Sequence, residues 1–117
     1  MAGKPEKVDQ VVRSRAALAP EIQAAFRDEA KRRGCWLKTV QREAVVSFLG
    51  KRQDLLKTGK QPTYFATPRS EQGLQVILPA ELTQEASAAA ELDRVSLSQL
   101  LHTALKMHHD AGLPNVS

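Results

Sequence analysis

The sequence predicts a mainly helical fold with minimal strand content, formed by one short strand-helix-helix unit that occurs twice around a shared core. Three observations lead there. The chain lies back on itself when shifted by sixty residues: Leu18 falls on Leu78, Glu21 on Glu81, Ala30 on Ala90, Leu37 on Leu97 and Ala44 on Ala104. Ile22 over Leu82, Cys35 over Val95, Val40 over Leu100 and Val45 over Leu105 keep the apolar character where the letters differ, and a unit too small to bury its own core must stack on a copy of itself. Aromatic residues make up only 4% of the 117 residues, and an apolar content weighted to Ala, Leu and Val suits closely packed helices better than a sheet sandwich. Finally, a proline closes each short alternating segment, where it cannot extend a ladder but fits a first helical turn.

In chain order, residues 1–10 are polar and are expected to form a flexible N-terminus. A first unit over 11–57, a linker over 58–72, a second unit over 73–111 and a flexible tail over 112–117 complete the expected organisation. The first strand alternates Arg13, Arg15 and Ala17 on one side with Val12, Ser14, Ala16 and Leu18 on the other. Its counterpart at 73–78 points Leu74, Val76 and Leu78 inward and Gln75 and Ile77 away. After Pro20 and Pro79, helices are predicted with Ile22, Phe26 and Ala30 on one apolar stripe and Leu82, Ala86, Ala89 and Ala90 on the other; Glu21 and Glu81 favour their positive ends. Gly34 can stop the first of these in a left-handed conformation, which the equivalent Arg94 cannot adopt as cheaply. The second helices carry Leu37, Val40, Ala44, Val45 and Phe48 in one copy and Leu97, Leu100, Leu101, Ala104 and Leu105 in the other. Lys51–Lys57 can extend the first of these through Leu55 and Leu56. Two prolines and a glycine mark the linker, within which Tyr64 and Phe65 are expected to pack on the core.

The formal charge of +4 conceals an asymmetry: residues 1–60 hold fourteen Lys and Arg against seven acids, a net +7, while residues 61–117 hold three against six, a net −3. A basic half points to a polyanion, nucleic acid before membrane, because no long apolar run or basic amphipathic anchor is present. Cys35 is the sole cysteine, so no internal disulfide forms; at the position of Val95 it reads as a small apolar residue. His102, His108 and His109 lack a Cys or carboxylate to complete a metal shell and read as a solvated helix end. No nucleotide-binding glycine motif, catalytic triad or paired acid cluster is present, so neither an enzyme nor a cofactor or metal is expected.

The second copy carries Leu78-Pro79-Ala80-Glu81-Leu82 and Ser96-Leu97-Ser98-Gln99-Leu100-Leu101-His102-Thr103-Ala104-Leu105. The first is a diverged match through Leu18, Pro20, Glu21, Ile22, Gly34, Leu37, Val40, Ala44 and Val45. This pattern resembles the ribbon-helix-helix family of DNA-binding proteins, whose members pair one strand from each of two subunits into a two-stranded antiparallel ribbon. The resemblance implies that the fused copies form that dimer within one chain, a single-chain pseudo-dimer monomeric in solution. It also implies double-stranded DNA as partner. The ribbon would enter the major groove with Arg13, Arg15 and Ala17 from one strand and Gly73, Gln75 and Ile77 from the other facing the bases. Arg would address guanine, Gln adenine and Ile a thymine methyl. An unequal ribbon of this kind would read an asymmetric site.

Phosphates would be held at the start of each second helix, by Ser96 and Ser98 in one copy. In the other, Trp36 occupies the capping position and has no hydroxyl to offer, leaving Lys38 and Thr39. Arg32, Arg33, Arg42, Lys51 and Arg52 read either as a solvated face or as added nonspecific attraction; around five phosphates neutralised would give a slope of log K on log salt of about −4 to −5. Tandem members similar to this chain serve as accessory factors of T-DNA transfer, which implies a relaxosome-type role in a bacterial cytoplasm, with a relaxase and a partitioning-type ATPase as further partners and no membrane. The alternatives are a transcriptional repressor of antitoxin type and a scaffold that recruits such partners while touching DNA weakly.

Overall fold

A computed structural model describes residues 11–66 and 73–114; the expectations for 1–10, for 67–72 of the linker and for 115–117 lie outside the described residues. The elements run β1 (Val11–Ala17), α1 (Pro20–Arg33), α2 (Leu37–Lys57), β2 (Gly73–Pro79), α3 (Ala80–Leu92) and α4 (Leu97–Asp110). The described fold is thus mainly helical with one two-stranded antiparallel sheet. Its register sets Arg13 against Ile77, Arg15 against Gln75 and Ala17 against Gly73.

The sheet buries one face. Ala16, Leu74, Val76 and Leu78 point into the core, joined by Leu18 just past the strand. Leu18, Val76, Leu78, Phe26, Val40, Val45, Leu100, Leu101 and Leu105 are each fully enclosed. Each second helix packs on the strand of the opposite half, α4 across β1 and α2 across β2. Burial itself repeats at the sixty-residue offset: residues 31–40 and 91–100 share the same sequence of exposed, half-buried and buried positions.

Several expectations change. Val12, expected on the inner side, is 37% exposed, because the core ends at Ser14 and Ala16 and nothing covers the strand's first residues. Pro20 opens α1 as expected, but Pro79 ends β2 and serves as the N-cap residue of α3, where its carbonyl accepts the Thr83 hydroxyl at 3.1 Å. α2 does run through Lys51–Lys57. The turn after α1 has Gly34 at φ 69°, with Gly34 N–H donating to Lys31 O and Cys35 N–H to Ala30 O. The turn after α3 repeats these bonds, Arg94 N–H to Glu91 O and Val95 N–H to Ala90 O, with Arg94 at φ 61°. Packing of both units into one core imposes the same helix stop even where a non-glycine residue must bear the left-handed strain.

The histidines are not a solvated end. His102 and His108 are each 3% exposed, and only His109 is partly open. His108 takes the position of Phe48 in the repeat and lies 6.3 Å from the Phe26 ring, with its Nε2 buried and unpaired. Burial holds its pKa below the ordinary imidazole value, against the opposing pull of Glu43; Arg33 and Lys51 lower it further and Glu29 raises it. A depressed folded pKa means that the unfolded chain binds the proton first, so stability should fall as pH drops below about 6.5. Replacing His108→Leu should remove that limb of a urea-midpoint profile against pH while leaving the limb below about pH 4; an unchanged profile would exclude His108 as its source.

Of the linker residues, Tyr64 packs on the core as expected, whereas Phe65 is half-buried beside it and is tied to the fold through its backbone. Tyr64 meets Phe48 edge-on at 5.6 Å, while Phe65 N–H donates to Thr103 Oγ1 at 3.1 Å. Cys35 is half-buried against the core. No described helix is long and apolar enough to cross a membrane, and among the described residues no cluster of three metal-ligating side chains occurs.

Candidate nucleic-acid interface

Because side chains alternate along a strand and the register is antiparallel, Arg13, Arg15, Ala17, Gly73, Gln75 and Ile77 share the sheet face turned away from the helices. Arg13, Arg15, Gly73 and Gln75 are exposed, whereas Ala17 and Ile77 are half-buried. At the centre, Arg15 stands opposite Gln75 and reaches diagonally to Gly73, its Nη2 donating to the carbonyl at 3.3 Å. A Cβ at residue 73 would come within 3.0 Å of Arg15 Nε, so glycine is what admits this posture. Neither Arg13 nor Arg15 forms an ion pair among the described residues.

Two side chains fix the sheet from behind. Gln41 Nε2 donates to Gln75 O at 3.2 Å and His102 Nδ1 donates to Ala17 O at 2.7 Å, so α2 and α4 each hold a strand by a carbonyl. Sequence reasoning passed over Gln41 and read His102 as part of a solvated helix end. The available signal was a polar residue beside the apolar stripes Val40–Ala44 and Leu101–Leu105, where burial demands a partner.

The start of α2 lies beside this face, and the start of α4 lies beside the exposed Val12 of β1. Leu97 and Val95, on either side of Ser96, share a groove with Val12 of β1, while Trp36, Leu37 and Lys38 share one with Gly73, Gln75 and Ile77 of β2. Ser96 Oγ accepts Gln99 N–H at 3.0 Å and caps α4; Ser98 is exposed in the first turn. At α2 no side chain makes a capping bond, Trp36 is 75% exposed, Lys38 is exposed and Thr39 is half-buried.

Part of the basic run lies elsewhere. Arg33 bridges Glu29 and Glu43, the latter at 2.7 Å, and also reaches Leu113 O at 3.1 Å. Arg52, 6% exposed, grips Asp93 with bonds of 2.8 and 3.0 Å. Arg32 pairs with Glu29 at the surface. Arg33 and Arg52 are therefore structural cations with their charge already answered, which corrects both readings given for them, a solvated face and added nonspecific attraction.

No protein-family model matches this chain, and comparison with curated proteins and with solved structures finds no match.

Proposed function

We propose that the chain is a single-chain ribbon-helix-helix pseudo-dimer that binds double-stranded DNA through the outer face of its two strands. The observation that carries this reading is the coincidence of register and repeat. Arg15 and Gln75 are sixty residues apart and stand opposite each other, so the pair is related by the same offset that relates the two units. A pseudo-twofold axis through that pair generates Arg13 opposite Ile77 from Ala17 opposite Gly73, as a symmetric dimer of two such units would. An exposed strand pair bearing two arginines and a glutamine, and flanked by two helix starts, suits the major groove. Base contacts fall to Arg13, Arg15, Ala17, Gln75 and Ile77, and phosphate contacts to Lys38, Thr39, Ser96 and Ser98.

The biological role we propose is that of an accessory, relaxosome-type factor in T-DNA or conjugative DNA processing, on the strength of the tandem arrangement and an asymmetric reading face. A repressor of antitoxin type would use the same face. A scaffold for a relaxase or partitioning-type ATPase is favoured by one feature, the side chain of Leu92, 76% exposed at the end of α3.

A gel-shift series with random duplex, a T-DNA enhancer-like duplex and single strand over a range of salt tests the reading. With Arg33 and Arg52 withdrawn into internal pairs, Arg32, Arg42 and Lys51 are what remains of the basic run as counterion-releasing contacts. The slope of log K on log salt should then be about −3, shallower than the −4 to −5 of the full basic run. A slope near zero, or no preference for any duplex over single strand, would sink the proposal.

A further inference from the structure

The flank of the strand pair is built differently in the two halves. Where α4 begins, Ser96 and Ser98 stand; their counterparts sixty residues earlier, where α2 begins, are Trp36 and Lys38. A groove lies beside each start. The one at α4, about 510 Å³, is lined by Val12, Thr83, Ser87, Glu91, Val95 and Leu97 among others and holds no cation. The one at α2, about 610 Å³, holds Arg27, Trp36 and Lys38 and no acid, and opens onto Gly73, Gln75 and Ile77 of the outer face. Arg27 replaces Ser87 at the same offset, so three substitutions of one chemical tendency converge on one flank.

The groups there are free to engage a ligand. Gln23 Nε2 donates to Leu18 O at 2.8 Å and Gln41 Nε2 to Gln75 O, which occupies two of the groove's three amides; the third, on Gln75, belongs to the outer face of the strands. What remains is an indole, a guanidinium and an ammonium, the last 6.0 Å from the indole centroid. A serine cap suits an intact phosphodiester. An exposed indole among cations suits a base that has left the stack, because every base offers a π-face and its phosphate offers the charge.

We propose that the groove formed by Arg27, Trp36 and Lys38 holds an unpaired nucleotide of the bound DNA, its base on the Trp36 ring and its phosphate with Arg27 and Lys38. This rests on the DNA-binding reading above and deepens it: the strands and both helix starts hold paired DNA, and at a fork the phosphate that Lys38 takes is that of an unpaired nucleotide, whose base the Trp36 ring receives.

Trp36 is the sole tryptophan, so its emission reports on this groove alone. The full chain should be titrated with a blunt duplex, with the same duplex carrying an unpaired oligothymidine fork, and with single-stranded oligothymidine. The fork should bind more tightly than the blunt end and quench Trp36, and the single strand should quench it at higher concentration. Trp36→Ser installs the second unit's own capping residue, which protects the helix start; by anisotropy of labelled DNA it should lose roughly tenfold in affinity for the fork, with blunt binding held. Equal wild-type affinity for fork and blunt duplex would overturn the proposal. So would a variant that weakens both alike, since Trp36 would then touch intact backbone. Failure of the DNA-binding reading looks different: no duplex of any kind is bound and Trp36 emission stays constant throughout.

Discussion

Charge reversal at Arg13 and Arg15 together, each to Glu, should abolish the mobility shift of duplex DNA, a loss of at least about 100-fold, in a chain that still folds. Each arginine that donates two bonds to a guanine edge contributes about 1–3 kcal/mol, and the pair therefore spans about 2–6 kcal/mol before the new acids meet phosphate repulsion. The fold has little to lose. Both side chains are exposed, and among the described residues the one hydrogen bond that either makes is that from Arg15 to Gly73 O. Circular dichroism and the urea midpoint should stay within about 0.5 kcal/mol of the parent, as for surface changes in general. A companion variant, Gln75→Ala, should blunt the preference among duplexes more than the total affinity, since on the proposed reading it removes an adenine contact and no charge. An undiminished shift in the double variant would end the groove-reading account and leave the scaffold.

The largest expected effect on stability falls at Asp93→Ala. Asp93 lies just past α3, Arg52 near the end of α2 and Tyr64 in the segment after α2, and the three close a hydrogen-bonded cluster at the rim of the core. Arg52 and Asp93 are 7% and 8% exposed, so solvent cannot replace either partner. Removing the carboxylate leaves a buried guanidinium and a phenol without an acceptor, for which about 3–5 kcal/mol is the usual penalty of breaking such a pair. Urea denaturation should register it. The guanidinium, with the Tyr64 hydroxyl assisting against burial, holds the Asp93 carboxyl below the ordinary carboxylate range, and burial together with Asp93 pushes the Tyr64 phenol up. A depressed carboxyl contributes stability that is present above its unfolded pKa of about 3.9 and is lost as pH falls through the folded value. The parent should thus show an acid limb below about pH 4 that is shallower in the Ala variant, where the carboxyl of Glu29, also held low by Arg32 and Arg33, still contributes; a variant as stable as the parent would mean that the cluster is dispensable.

Much of the architecture was legible because it is written in local periodicity. The alternation at 73–78, the prolines at 20 and 79 and the fourfold spacing of Ile22, Phe26 and Ala30 each predict an element that is present. The outer set of the sheet followed from the period of two alone once the strands were placed. What escaped was set by partners remote in the chain. Arg33 finds Glu43 ten residues on and Arg52 finds Asp93 forty-one residues on, so a run of cations that looks like a single basic surface is divided by tertiary pairing. His102 and His108 are polar letters in buried places, one satisfied by a strand carbonyl and one with its buried Nε2 unpaired among the described residues, and polarity pointed them outward. Arg94 adopts a backbone that its side chain disfavours because the rest of its unit leaves no other path. Trp36 registered in the sequence only as a missing cap; its meaning came from comparing two grooves that no one-dimensional pattern shows.

Because β1 and β2 belong to one polypeptide and each is braced by a helix from the other half, the strand pair assembles by a first-order process. Its melting temperature should not move on dilution, and at concentrations where a strand pair shared between two chains of similar intrinsic strength would come apart, the paired strands persist at full occupancy. A cell holding only a few copies would still hold them in working form.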